Sequence, residues 1–193
     1  MVIRAQDRYA EGRYAGLRMR ADEYLQIEDG DRRYELVDGV VVMSPSPTPR
    51  HQAVLFELIA QIGAFLKANP IGIALPEVDV RLAGDLVYRP DLVFFLAERV
   101  ERGWQRIDRA PDLVVEIASP DYRRYDRETK KSDYERFGVG EYWLIDPDRD
   151  ELAFFVLEGG QYVGVRVSGE RFDSRVIRGF TLDLAAVRTT FDA

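Results

Sequence analysis

The chain has no cysteine and a single histidine. Disulfides, thiolate metal sites, zinc fingers and thiol nucleophiles are therefore excluded, as is any metal site built mainly from histidines. Long apolar runs are also missing. The longest stretch free of Asp, Glu, Lys and Arg is 39–49, 11 residues with three prolines, whereas a membrane-spanning helix needs about 18 or more apolar residues. There is no Gly-rich phosphate loop and no Gly-x-Ser-x-Gly elbow. No repeat or low-complexity segment is visible. Positive charge is in deficit, with 27 Lys and Arg against 34 Asp and Glu and a net charge of −7. That counts against a broad non-specific nucleic-acid coat but leaves room for a small basic groove. The first residues lack the apolar core of a signal peptide, so a cytoplasmic protein without membrane contact is expected. Any metal or acid–base chemistry must rest mainly on carboxylates and lysine.

What is present suits one soluble domain: 193 residues, 46% apolar and 32% charged. Residues 1–19, with scattered arginines, are expected to be a poorly packed arm; 20–187 form the domain and 188–193 a tail. Asp38-Gly39 lies between the β-prone runs 34–37 and 40–43, as a two-residue hairpin turn requires. Thr48-Pro49 reads as an N-cap followed by proline at the first helical position. Val54, Leu55, Leu58, Ile59, Ile62, Phe65 and Leu66 then carry helical spacing to about residue 68. Strands are expected near 71–75, 77–82, 86–88, 91–96, 112–118, 141–146, 151–157 and 161–167. Helices are expected over 123–137 and near 182–187. This order predicts an α/β (α+β) domain on a mixed β-sheet flanked by helices, with an N-terminal hairpin.

The informative feature is acid on apolar strands. Glu116 shares its strand face with Val114 and Ala118, so it points into an apolar layer, where an unpaired carboxylate is costly. A structural salt bridge and a strand-end acid at a solvated edge are the competing readings. Asp91 opens another apolar run, and Glu35 shares a face with Val37, Val40 and Val42 if the hairpin is in register. Three such acids converging would need a cation, and oxygen ligands favour Mg²⁺ or Mn²⁺. Asp112 and Glu116 are about 13 Å apart along one strand and cannot share a metal, whereas Asp91 and Glu116 on neighbouring strands can. Asp126, Lys130, Tyr134 and Phe137 fall on one helix face. Lys130 is a candidate for transition-state stabilisation or for a snorkelling surface lysine. Lys131 is expected to face water. His51 sits on the apolar face of the long helix, where packing or capping competes with ligation. Glu77 and Asp79 are weaker outer acids. The strip Tyr122, Arg123, Arg124, Tyr125, Arg127 and Lys130 reads either as a phosphate-contact strip or as a solvated helix face.

Taken in order, Arg89-Pro90-Asp91-Leu92, then Pro111-Asp112-Leu113-Val114-Val115-Glu116-Ile117-Ala118-Ser119-Pro120, then Asp126…Lys130…Tyr134-Glu135…Gly138-Val139-Gly140-Glu141-Tyr142-Trp143-Leu144-Ile145-Asp146-Pro147 resemble the Uma-type (Uma two) family. That family belongs to the restriction-endonuclease-like superfamily with the PD-(D/E)XK motif. Tyr34-Glu35-Leu36-Val37-Asp38-Gly39 and Ser44-Pro45…His51 are similar to its N-terminal half, so the resemblance runs from about 20 to 187. It implies a restriction-endonuclease-like core and a Mg²⁺-dependent (or Mn²⁺-dependent) nuclease-type site. Asp91 and Glu116 would be the motif acids, and the Ile117 carbonyl a third metal ligand. Ala118 occupies the usual lysine position, and Lys130 takes over the basic role, supported by Tyr134. Glu35 would be an auxiliary acid and His51 a supporting residue.

The leading expectation is a metal-dependent phosphodiesterase acting on DNA. The alternative is a catalytically inactive nuclease fold used for binding or as a homodimer, through apolar surface on 151–167 (Phe154, Phe155, Tyr162). A metal-dependent hydrolase of a non-nucleic substrate is a third reading.

Overall fold

A computed structural model describes residues 13–27, 33–44, 46–120 and 123–192. Residues 1–12 of the expected arm, Pro45, Asp121, and Tyr122 of the interleaved strip lie outside them. The chain divides into two compact units: 1–46 with 79–89 and 107–109, and 47–78 with 90–106 and 110–193.

The first unit is built on a four-stranded antiparallel sheet in the order β2-β1-β5-β4. Its strands are β1 (Tyr34–Val37), β2 (Val40–Met43), β4 (Val80–Ala83) and β5 (Leu86–Tyr88). The hairpin register is the expected one, with Val37 opposite Val40 and Glu35 opposite Val42. Asp38 and Gly39 both take positive φ, +49° and +72°, which is the geometry that favours Asp-Gly in a primed two-residue turn. A short helix α1 (Ala21–Tyr24) covers one face. Ala21, Tyr24, Tyr34, Leu36, Val41 and Val87 form the core there, and Tyr24 donates its hydroxyl to the Tyr34 carbonyl at 2.7 Å. Residues 16–19, in the described part of the arm, bond to the hairpin: Gly16 N–H donates to the Val41 carbonyl and Met19 N–H to that of Gly39.

The second unit holds a six-stranded sheet in the order β10-β9-β8-β7-β6-β3. Its strands are β3 (Gly72–Pro76), β6 (Leu92–Leu96), β7 (Leu113–Ile117), β8 (Glu141–Asp146), β9 (Glu151–Glu158) and β10 (Gln161–Val165). Only β7 and β8 run parallel; every other pairing in the sheet is antiparallel. A parallel pair needs a crossover, supplied here by the helix between β7 and β8, and its strands are covered on both faces. Every residue of β7 and β8 is accordingly buried.

One face of this sheet carries the main core. The helix α2 (Pro49–Ala68) is capped by Thr48, whose hydroxyl accepts from the His51 N–H. It lays Val54, Leu55, Leu58 and Ile62 on Leu92, Phe94, Leu113, Val115, Ile117, Trp143 and Ile145. Full burial of such side chains stabilises by roughly 2 kcal/mol each. The C-terminal segment completes this core. It adds a two-stranded ribbon that the sequence reading did not anticipate, β11 (Arg171–Asp173) with β12 (Thr181–Asp183), and then α4 (Leu184–Thr189). Phe172 stacks on Phe154 with ring centres 3.8 Å apart.

Two fold features generate tests. A Cβ at Gly72 would fall against the Phe95 carbonyl oxygen and the Phe94 ring, so Gly72→Ala should cost about 3 kcal/mol in urea denaturation. Glu141 is fully buried and accepts from the Ser174 hydroxyl at 2.6 Å and from the Arg175 and Val176 N–H groups at 3.3 Å. Burial raises its pKa above the ordinary glutamate value, and those hydrogen bonds only partly oppose the rise. The stability this carboxyl contributes is complete below the unfolded-state value and is lost as pH rises through the elevated folded value. Relative to Glu141→Gln, the wild type should therefore lose denaturation free energy as pH rises from 4 to 8.

Candidate active site

The site begins with strand register. Leu92 pairs with Val115 and Val93 with Val114 on antiparallel β6 and β7. Continued by one residue, this sets Asp91 across from Glu116. Directly opposed residues have Cβ atoms about 5 Å apart. Asp91 Oδ2 accepts from the Ile117 N–H at 2.7 Å, which ties the two chains together at this point. Both acids are buried, at 5% and 4% exposure.

Each acid has a nitrogen-bearing side chain beside it. His51, in the first turn of α2, points Nε2 at Asp91 Oδ1 at 3.1 Å. The Thr48 cap uses the backbone of His51, leaving its ring for the site. Burial alone would raise the Asp91 pKa. The hydrogen bond and charge of His51, the Ile117 N–H and the charge of Lys130 outweigh burial, and the carboxyl is held below its ordinary value. Glu116 Oε1 accepts from Lys130 Nζ at 3.1 Å and from the Tyr134 hydroxyl at 2.6 Å. Tyr134, expected to steady Lys130, thus steadies the acid that Lys130 binds.

The helix that delivers these groups is not a uniform α-helix. Its middle, Tyr125–Lys130, is π-helical and passes into α3 (Lys131–Arg136). The Lys131 N–H reaches back five residues to the Asp126 carbonyl, which also accepts the Tyr142 hydroxyl at 3.1 Å. Such π segments are rare and concentrate at functional sites. Asp126 is itself 5% exposed, with Oδ1 3.8 Å from Lys130 Nζ. The sequence placed Asp126 on this face but not in the site. Burial, and the Glu116 and Asp126 carboxylates, push the Tyr142 phenol well above its usual range.

The other candidates have contacts of their own. Glu35 belongs to the first unit, is 2% exposed, and accepts the Arg89 N–H at 3.1 Å. Asp79 takes both arms of the Arg89 guanidinium at 2.8 and 3.0 Å. Glu77 donates its N–H to the Asp91 carbonyl at 3.2 Å. Asp112 binds the Leu96 N–H and Arg99, in keeping with a strand-start role. Lys131 does not simply face water: its ammonium sits 4.2 Å from the Phe155 ring centre. The arginines of the interleaved strip are engaged by acids: Arg123 by Asp146 and Asp148, Arg124 by Glu128, and Arg127 by Glu151. The apolar surface expected on 151–167 is mostly covered, since Phe154 is buried and Phe155 and Tyr162 pack on Tyr142.

The donor set suits a hard divalent cation. It offers two opposed buried carboxylates and no sulfur. Among the described residues no group of three or more His, Asp or Glu side chains is arranged to hold a metal. A cation here would be held by two carboxylates with backbone or water, the pattern typical of Mg²⁺.

Residues 21–185 match a family model, Uma2, described as "Putative restriction endonuclease". The chain belongs to the Uma2 family. A solved structure from Anabaena variabilis, described as a "putative nuclease belonging to DUF820", superposes with a TM-score of 0.78 at 21% identity, over 90% of this chain and 99% of that one. At that identity the likeness shows the fold, and it agrees with the expected mixed α+β nuclease architecture. No curated protein matches in sequence. No helix among the described residues is long and apolar enough to cross a membrane.

Removing the Tyr134 hydroxyl leaves a buried carboxylate one donor short. Tyr134→Phe should destabilise the fold by about 2 kcal/mol in urea denaturation.

Proposed function

We propose that this Uma2-family chain is a divalent-metal-dependent phosphodiesterase that cleaves DNA. The observation that carries the reading is the placement of Asp91 across from Glu116 with the Lys130 ammonium 3.1 Å from Glu116. Asp91 and Glu116, with the Ile117 carbonyl, would hold Mg²⁺ or Mn²⁺. Such an ion activates water and stabilises the charge on the leaving oxygen.

The chain's own residues have separable tasks. The Ile117 N–H and the Tyr134 hydroxyl aim the two carboxylates without adding charge. His51 fixes the Asp91 rotamer through Oδ1. Lys130 places a positive charge beside the carboxylates, where it can orient a water or offset charge gathering on the phosphate. Its burial, at 6% exposure, strengthens that charge by excluding solvent. The chain's negative balance argues for a local groove rather than a wide basic coat.

Plasmid and labelled DNA, with RNA as comparison, should be cleaved only when Mg²⁺ or Mn²⁺ is supplied. Asp91→Ala should abolish cleavage, and Lys130→Ala should lower kcat by about 10²–10³-fold. Persistent cleavage by metal-saturated Asp91→Ala would refute the site.

A further inference from the structure

We propose that Asp126 is a positioning residue that takes over the Lys130 ammonium when Glu116 binds a cation. The inference rests on the metal reading above. Lys130 Nζ lies 3.1 Å from Glu116 Oε1 and 3.8 Å from Asp126 Oδ1. Transfer between the two acids therefore needs only a small swing of the lysine tip. Glu116 Oε1 is also aimed by the uncharged Tyr134 hydroxyl, so what Lys130 adds there is chiefly charge.

That charge opposes a metal. A divalent cation on Glu116 and an ammonium on the same oxygen repel each other in a site with little solvent to screen them. Lys130 is 6% exposed and would be costly to strand unpaired. Asp126 offers it a second carboxylate without leaving the site. The backbone of Asp126 is fixed independently of Lys130, since its carbonyl accepts from both the Lys131 N–H and the Tyr142 hydroxyl. The Tyr125 ring, 5.8 Å from Nζ, adds a second face that tolerates a cation. Asp126 thus favours metal uptake, and it does so through Lys130 rather than by touching the metal.

The test is a double-mutant cycle on Mn²⁺ affinity, read by electron paramagnetic resonance of free Mn²⁺ in wild type, Asp126→Asn, Lys130→Met and the double variant. Lys130→Met removes the competing charge and should tighten Mn²⁺ about tenfold. Asp126→Asn should weaken it about tenfold when Lys130 is present, and change it less than about twofold in the Lys130→Met background. Equal weakening in both backgrounds would mean that Asp126 acts on the metal directly and would overturn the proposal, as would no effect in either. If Asp126→Asn fails to fold by circular dichroism, Asp126→Ser carries the same comparison. If none of the four proteins binds Mn²⁺, the metal reading itself falls and takes this inference with it. Binding without the cycle pattern overturns this inference alone.

Discussion

The candidate site in the second unit is organised around a carboxylate placed on a buried strand. Glu116 lies on β7, whose every residue is buried. A buried carboxylate demands hydrogen-bond donors, and the Ile117 N–H of β7 is already given to Asp91. The donors must come from the layer above. The crossover helix between the parallel strands β7 and β8 supplies them, with Lys130 and Tyr134 converging on one oxygen. The connection that parallel topology requires thus also furnishes the charge that the acid requires.

Asp91 is organised by the other face of the same logic. Its carboxylate bridges β6 to β7 through the Ile117 N–H and β6 to α2 through His51. Two uncharged donors, one from backbone and one from a phenol, set the directions of the acids, while Lys130 supplies positive charge at Glu116 and His51 a further contact at Asp91. Aim and charge come from different groups. A substitution can therefore disturb one while leaving the other largely intact, which is uncommon in sites where a single arginine does both.

Much of this was legible in the sequence because local rules and tertiary demand agree. Thr48-Pro49 and the helical spacing that runs to about residue 68 mark α2 at its observed ends, and Asp38-Gly39 sets the hairpin register residue for residue. Glu116 stood out because its strand partners are apolar. What stayed hidden depends on geometry that no local period carries. The sequence assigned Tyr134 to the lysine, since an i,i+4 rule sees only its own helix; the hydroxyl instead goes across to β7. The family resemblance names His51 a supporting residue, but its spacing alone leaves packing, capping and ligation open, and only the tertiary fold shows where the ring points. Phe154, Phe155 and Tyr162 suggested open surface, because the β11–β12 ribbon and the Tyr142 stack that cover them are separate in sequence. The π segment is invisible to a pattern search that assumes one helical period throughout.

That segment makes length part of the chemistry. Between Tyr125 and Lys130 the helix turns more slowly than an α-helix would, and it recovers its ordinary pitch at Lys131. A relative could keep every acid, the lysine and the tyrosine, yet lose one residue from this stretch. It would still form a helix of nearly the same span. Its lysine would leave β7 in the wrong phase, so the number of residues in this stretch decides whether the ammonium meets the Glu116 carboxylate.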